Sequence, residues 1–141
     1  MKQKILYVGA FVSPTALADA LYGVRSGHLG REIDTPHVTF RYAPREIPAE
    51  LFGTPLTVRI TGYGCDGENE GVSAEIITDS EELAAMAQEI AVPHITLSVS
   101  ETGKPVNTRY LHFEPIVPFC IDAVFGGYTS DGTVCTDAAE L

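Results

Sequence analysis

The sequence predicts an α+β domain of pseudo-two-fold, bilobal build, with largely antiparallel sheets forming a central cleft and two main helices on the outside. Two observations carry that expectation. Strand-patterned segments recur along most of the chain. Two strand–helix–strand runs each end in a strand led by a histidine, His37 and His94, so the chain repeats in pattern rather than in residue identity. An antiparallel sheet with its helices on one side leaves the other face open to form a cleft.

Residues 4–12 are an apolar, β-rich run that reads as a buried strand, and Ser13 with Pro14 follows as the N-cap and first-turn proline of a helix. Leu17, Leu21 and Val24 give that helix an apolar stripe, and Gly27 and Gly30 lie where it has ended. Residues 36–42 alternate as a strand, Pro44 ends it, and residues 47–52 form a short helical turn. The β-patterned segments 56–62 and 71–77 flank a linker containing Asp66-Gly67, which predicts a hairpin. Asp79 stands three residues before Glu82 at capping-box spacing, and Leu83, Met86, Ala87 and Ile90 form the apolar face of a second helix closed by Pro93. Strands are then predicted at 94–100, 109–113 and 118–128, with a turn at Gly103-Lys104-Pro105 and a loose acidic tail over 129–141.

A single domain over 1–141 is expected, because 141 residues with 45% hydrophobic content suffice for one core. The formal net charge of −10 argues against a protein that grips long duplex nucleic acid, since such binding is dominated by Lys and Arg on phosphates. A small nucleotide or an RNA end remains compatible, because the field inside a cleft reflects nearby groups; Arg41, Lys104 and Arg109 are the candidate cations. Cys65, Cys120 and Cys135 are widely spaced and form no C-x-x-C pair, so they read as free thiols of a reducing compartment. The early lysines and apolar run look superficially like a secretory signal. The run is short, however, and Ser13-Pro14 interrupts it, so a cytoplasmic protein without a membrane span is expected.

Two tetrapeptides share one form: His37-Val38-Thr39-Phe40 and His94-Ile95-Thr96-Leu97, each directly preceded by a proline. Side chains alternate across a strand, so each histidine shares a face with its threonine while the apolar residues face the core. If both polar faces line one cleft, two imidazoles and two hydroxyls converge. Cleaving a phosphodiester requires taking a proton from the attacking oxygen and giving one to the departing oxygen, and histidine does either near neutral pH. The threonine hydroxyls can donate to the nonbridging oxygens. Either histidine or threonine alone is as well explained by an ordinary half-buried strand; their matched registration is what points to catalysis. By the same alternation, Arg41 continues the His37 face and Ser98 with Ser100 the His94 face, as candidate substrate-binding residues. Tyr7 on the first strand is a candidate to stack on a base, with core packing as the competing reading.

The paired H-x-T motifs, their spacing and the strand–helix order resemble the 2H phosphoesterase superfamily. The stretches Pro36-His37-Val38-Thr39-Phe40, Gly62-Tyr63-Gly64 through Asn69-Glu70-Gly71, and residues 92–100 are most similar to the phosphodiesterase domain of fungal-type tRNA ligases and related small stand-alone proteins. The likeness covers roughly residues 4–125. It implies action without metal on 2′,3′-cyclic phosphates, on 2′,5′-linked oligonucleotides, or on cyclic oligonucleotides of the kind used as immune signals. It implies a reaction class and leaves the substrate open.

No cofactor or metal is expected. Zinc takes three or four Cys, His or carboxylate ligands, and each motif supplies threonine where a second ligand would stand; His28 and His112 lie apart from both motifs. The acidic loop 66–70 lacks the layout of an EF-hand and reads as a solvated hairpin turn. The competing functional reading is a module that binds or sequesters a nucleotide in the same cleft without cleaving it, and oligomeric state stays open.

Overall fold

The computed structural model describes residues 4–140. In chain order the elements are β1 (Ile5–Val12), α1 (Pro14–Ala20), β2 (Arg31–Glu32), β3 (His37–Tyr42), β4 (Pro55–Cys65), β5 (Asn69–Ile77), α2 (Glu81–Gln88), β6 (His94–Val99), β7 (Glu114–Thr129) and β8 (Val134–Cys135). Short 3-10 helices cover Ala49–Leu51, Pro105–Tyr110 and Ala138–Glu140. The chain is therefore α+β, with few helices and an antiparallel sheet.

That sheet is continuous, where the sequence suggests separate sheets for the two halves. It runs β2-β6-β5-β4-β7-β1-β3, and β8 pairs beside β7. Its central part divides into equivalent triplets, β6-β5-β4 and β3-β1-β7, which meet at the β4–β7 ladder. Within each triplet a strand leads through a short helix into a histidine-led strand: β1, α1 and β3 in one, β5, α2 and β6 in the other. β3 and β6 pack against each other although no backbone pairing joins them. The sheet thus curls until the motif strands meet.

The helices start alike. Ser13 Oγ accepts from the Ala16 N–H and Ser80 Oγ from the Leu83 N–H, each at 3.2 Å, satisfying a donor that the first turn cannot pair internally. Ser80, and not Asp79, is the second cap. α1 ends at Ala20, before two of the three residues of the predicted apolar stripe, so Leu17 of the helix and Leu21 at its C-cap, with Leu83 and Met86 from α2, pack on Val8, Ala10, Val38, Val58, Ile60, Val72 and Ile95 of the sheet. Both helices therefore cover one face, and the histidines stand on the other.

Three expectations change. No strand forms over residues 109–113; Pro105 instead opens the 3-10 helix Pro105–Tyr110, whose Thr108 is fully buried against β6. The last long strand begins at Glu114, earlier than the sequence suggests. Much of the tail is ordered by pairing of Val134 and Cys135 with Tyr128 and Gly127; the tail's last residue lies outside the described ones. No helix among the described residues is long and apolar enough to cross a membrane.

Candidate active site

Cross-strand partners share a face, so the ladders state what stands beside each motif. His37 opposes Phe11 and Thr39 opposes Gly9; His94 opposes Ser73 and Thr96 opposes Gly71. Immediately after each threonine the register slips by one residue. Thr39 and Arg41 face the consecutive Gly9 and Val8, leaving Phe40 as the extra residue. Thr96 and Ser98 face the consecutive Gly71 and Glu70, leaving Leu97 as the extra residue. Each motif strand thus carries a β-bulge at the fourth residue of its tetrapeptide.

Glycine makes both bulges possible. A Cβ on Gly9 would run into the Val38 carbonyl, and one on Gly71 would meet the Ile95 carbonyl at 2.8 Å as well as the Thr108 methyl. The glycines let the neighbouring strand approach the backbone just ahead of each threonine.

The bulges overturn two face assignments made from alternation. Arg41 stands across from core-facing Val8 and reaches Glu89 at the end of α2, 3.0 Å away, on the helix-bearing side. Ser98 stands across from Glu70 and is fully buried; it donates to Glu70 at 2.6 Å and accepts from the Leu29 N–H at 3.0 Å. The sequence-predicted polar lining therefore stops at the threonines. Tyr42 takes the place expected of Arg41, opposite Tyr7.

The imidazoles are held in matching ways. His37 Nδ1–H donates to the Thr35 carbonyl and His94 Nδ1–H to the Val92 carbonyl, each at 2.8 Å. This fixes the neutral tautomer and leaves each Nε2 with a lone pair. Among the described residues neither Nε2 has a hydrogen-bond partner, and no buried side-chain nitrogen or oxygen goes unsatisfied, so both Nε2 atoms reach solvent. Tyr7 backs His37 directly: the rings stack with centroids 4.5 Å apart, and the phenol oxygen lies 3.3 Å from Nδ1.

Burial holds the His37 pKa below the ordinary histidine value, against the Thr35 hydrogen bond, and the nearby His94 charge lowers it further. Burial also lowers His94, against its Val92 hydrogen bond, with the Arg109 guanidinium acting in the same direction. His94 is thus close enough for its charge to act on His37. Arg109 belongs to Pro105–Tyr110, lies over the Tyr110 ring at 4.9 Å, and has no carboxylate partner among the described residues.

The threonines are not equivalent. Thr39 is half-buried and its hydroxyl has no side-chain or backbone partner among the described residues. Thr96 is 8% exposed, and its hydroxyl lies 2.8 Å from Thr108 Oγ1 and 3.2 Å from the Pro105 carbonyl. Asn69 completes that cluster, donating to Thr108 Oγ1 and to the Lys104 carbonyl. The 3-10 segment is therefore strapped over the second motif and not over the first.

Several of these residues escape sequence reasoning. Glu70 is fully buried and takes hydrogen bonds from Arg25, Tyr63 and Ser98, tying the segment after α1 to β5 and β6. A cavity of about 220 Å³ lies beneath α1, touching Leu17, Arg25, Pro36 and Thr96, but neither histidine lines it. Among the described residues no three His, Cys, Asp or Glu side chains are grouped to hold a metal ion. No protein-family model matches the chain, and no curated protein matches it.

Proposed function

We propose that this protein is a phosphodiesterase of the 2H type that hydrolyses a small nucleotide phosphodiester by two-histidine general acid–base catalysis. The observation that carries the reading is the matched pair of imidazoles, each with Nδ1 tied to a carbonyl and a solvent-facing Nε2, with His94 close enough for its charge to lower the His37 pKa. With one proton on the pair, the neutral ring removes a proton from the attacking oxygen and the imidazolium supplies one to the leaving oxygen. Thr39 donates to a nonbridging oxygen, as Thr96 does once its hydroxyl turns from Thr108. No step in this scheme needs a metal or cofactor. The substrate is a 2′,3′-cyclic phosphate, a 2′,5′ linkage or a cyclic oligonucleotide, acted on in the cytoplasm; either histidine serves as acid, according to the direction in which substrate lies.

Incubation of the protein with a panel of those nucleotides in EDTA tests this. Cleavage by the native chain and its loss in His37→Ala and His94→Ala is the expected result. Equal cleavage by both variants would remove the pair from the mechanism.

One observation favours a second reading, a module that binds a nucleotide without cleaving it: the Thr96 hydroxyl already has partners in Thr108 and Pro105. Calorimetric binding of a nucleotide that is recovered intact would select that reading.

A further inference from the structure

We propose that the exposed ring of Tyr42 is a base-stacking subsite, so that the substrate's nucleobase lies on the His37 side of the site. The position of the phosphate rests on the phosphodiesterase reading, whereas the stacking itself does not.

Tyr128, Tyr7 and Tyr42 come from the adjacent strands β7, β1 and β3 and stand in register, Tyr7 opposing both of the others. Their rings are nearly parallel. Tyr7 and Tyr128 have centroids 5.2 Å apart at 10°, and Tyr7 and Tyr42 6.2 Å apart at 12°. Tyr7 is spent inside this row, 9% exposed and stacked on His37 as well, so it has no free face for a ligand. Tyr42 is 77% exposed, and β3 is the last strand of the sheet on that side, so no further strand supplies a next ring. The row therefore ends in an aromatic surface open to solvent, while both Tyr42 and His37 sit within 6.2 Å of the Tyr7 ring centre. A nucleotide whose phosphate reaches His37 places its base within range of that surface.

Among the described residues no such row of tyrosines is repeated beside His94; the exposed ring on that side, Tyr110, lies under the Arg109 guanidinium. The pairs equivalent to Tyr7–Tyr42 and Phe11–His37 are Asn69–Val99 and Ser73–His94. Asn69 is buried and committed to Thr108 and the Lys104 carbonyl. The backbone repeat is thus broken by side chains: a row of tyrosines flanks His37, while buried Asn69 and Val99 hold the matching places beside His94, so the base is placed on the His37 side. Stacking on a tyrosine accepts every base, so recognition discriminates nucleotides from base-free phosphates rather than one base from another.

The chain has no tryptophan, so Tyr42→Trp installs a single tryptophan at the proposed contact, excited at the red edge where the tyrosines do not absorb. Adenosine 3′-monophosphate and uridine 3′-monophosphate are titrated against it, with inorganic phosphate as the base-free control. Saturable quenching by both nucleotides and none by phosphate is expected. In turnover, Tyr42→Ala is expected to raise KM about ten-fold with kcat nearly unchanged, and Tyr42→Phe to retain the native KM. Nucleotide binding by calorimetry that is equal in the native chain and Tyr42→Ala would overturn the subsite, even if cleavage proceeds. Quenching without any cleavage would keep the subsite and end the catalytic reading. Absence of nucleotide binding to the native chain would end both.

Discussion

His94 repeats His37 down to its hydrogen bond: each imidazole donates Nδ1–H across 2.8 Å to the carbonyl two residues before it. Each motif strand turns its ring with the same local contact, and that contact leaves the same nitrogen, Nε2, for chemistry. Burial lowers both pKa values and the His94 charge lowers His37 further, so protonation of the pair is disfavoured and one proton is accepted before a second.

In the proposed mechanism the productive state holds one proton, so kcat/KM would depend on how often the free protein carries it. Both histidines titrate below the ordinary value of about 6.5, so protonation gains ground only as pH falls through that value. A pH profile of kcat/KM is expected to rise from pH 8 toward pH 6 and peak on the acid side of neutrality. A maximum above pH 7 would show that the environment does not lower the pair.

Thr39 and Thr96 are expected to separate. Thr39→Val removes a hydroxyl that has no partner among the described residues and, on the proposed mechanism, is expected to lower kcat by about 10²-fold with little loss of stability. Thr96→Val also takes a partner from buried Thr108, so it lowers stability by about 1–3 kcal/mol, read in urea denaturation. Equal stability losses in the two variants would contradict the asymmetry.

Gly9→Ala and Gly71→Ala each drive a methyl into the backbone carbonyl that precedes the opposing threonine. Each is expected to cost about 1–3 kcal/mol and to lower activity, because relief requires moving the bulge that aims the motif. A full-activity, full-stability Gly71→Ala protein would show that close approach is not required there.

Glu70 supplies a test away from the histidines. Burial alone would raise its pKa, but hydrogen bonds from Arg25, Ser98 and Tyr63 outweigh that and hold it below the usual carboxylate value. A depressed carboxylate contributes stability above its unfolded pKa, near 4.3, and loses it as pH falls through the lower folded value. Glu70→Gln leaves Arg25 with Glu32 as its one carboxylate partner among the described residues and is expected to cost about 3–5 kcal/mol at pH 7, with the difference from the native chain shrinking below pH 4. A constant difference across that range would contradict the charged network.

The strand–helix–strand repeat, the hairpin of β4 and β5, and the histidine-led strands are legible in the sequence because hydrophobic period and turn residues act locally. Arg41 and Ser98 are misplaced because a bulge reverses alternation, and its cause, a glycine on another strand, lies far off in sequence. The 3-10 strap over Thr96 is equally hidden: Thr108 and Asn69 look like solvated polar residues until tertiary packing buries them together. Tyr7 reads as a ligand contact or as core, and its stacking on His37 makes it a support for the imidazole.

The most direct measurement is a double-mutant cycle in kcat/KM on a cleaved nucleotide, using His37→Ala, His94→Ala and the pair together. Groups that serve one transition state from opposite sides lose about 10²–10⁴-fold singly, and removing both costs little more than removing one. Single losses that multiply in the double variant would mean the histidines act independently, and single variants with native activity would contradict the account outright.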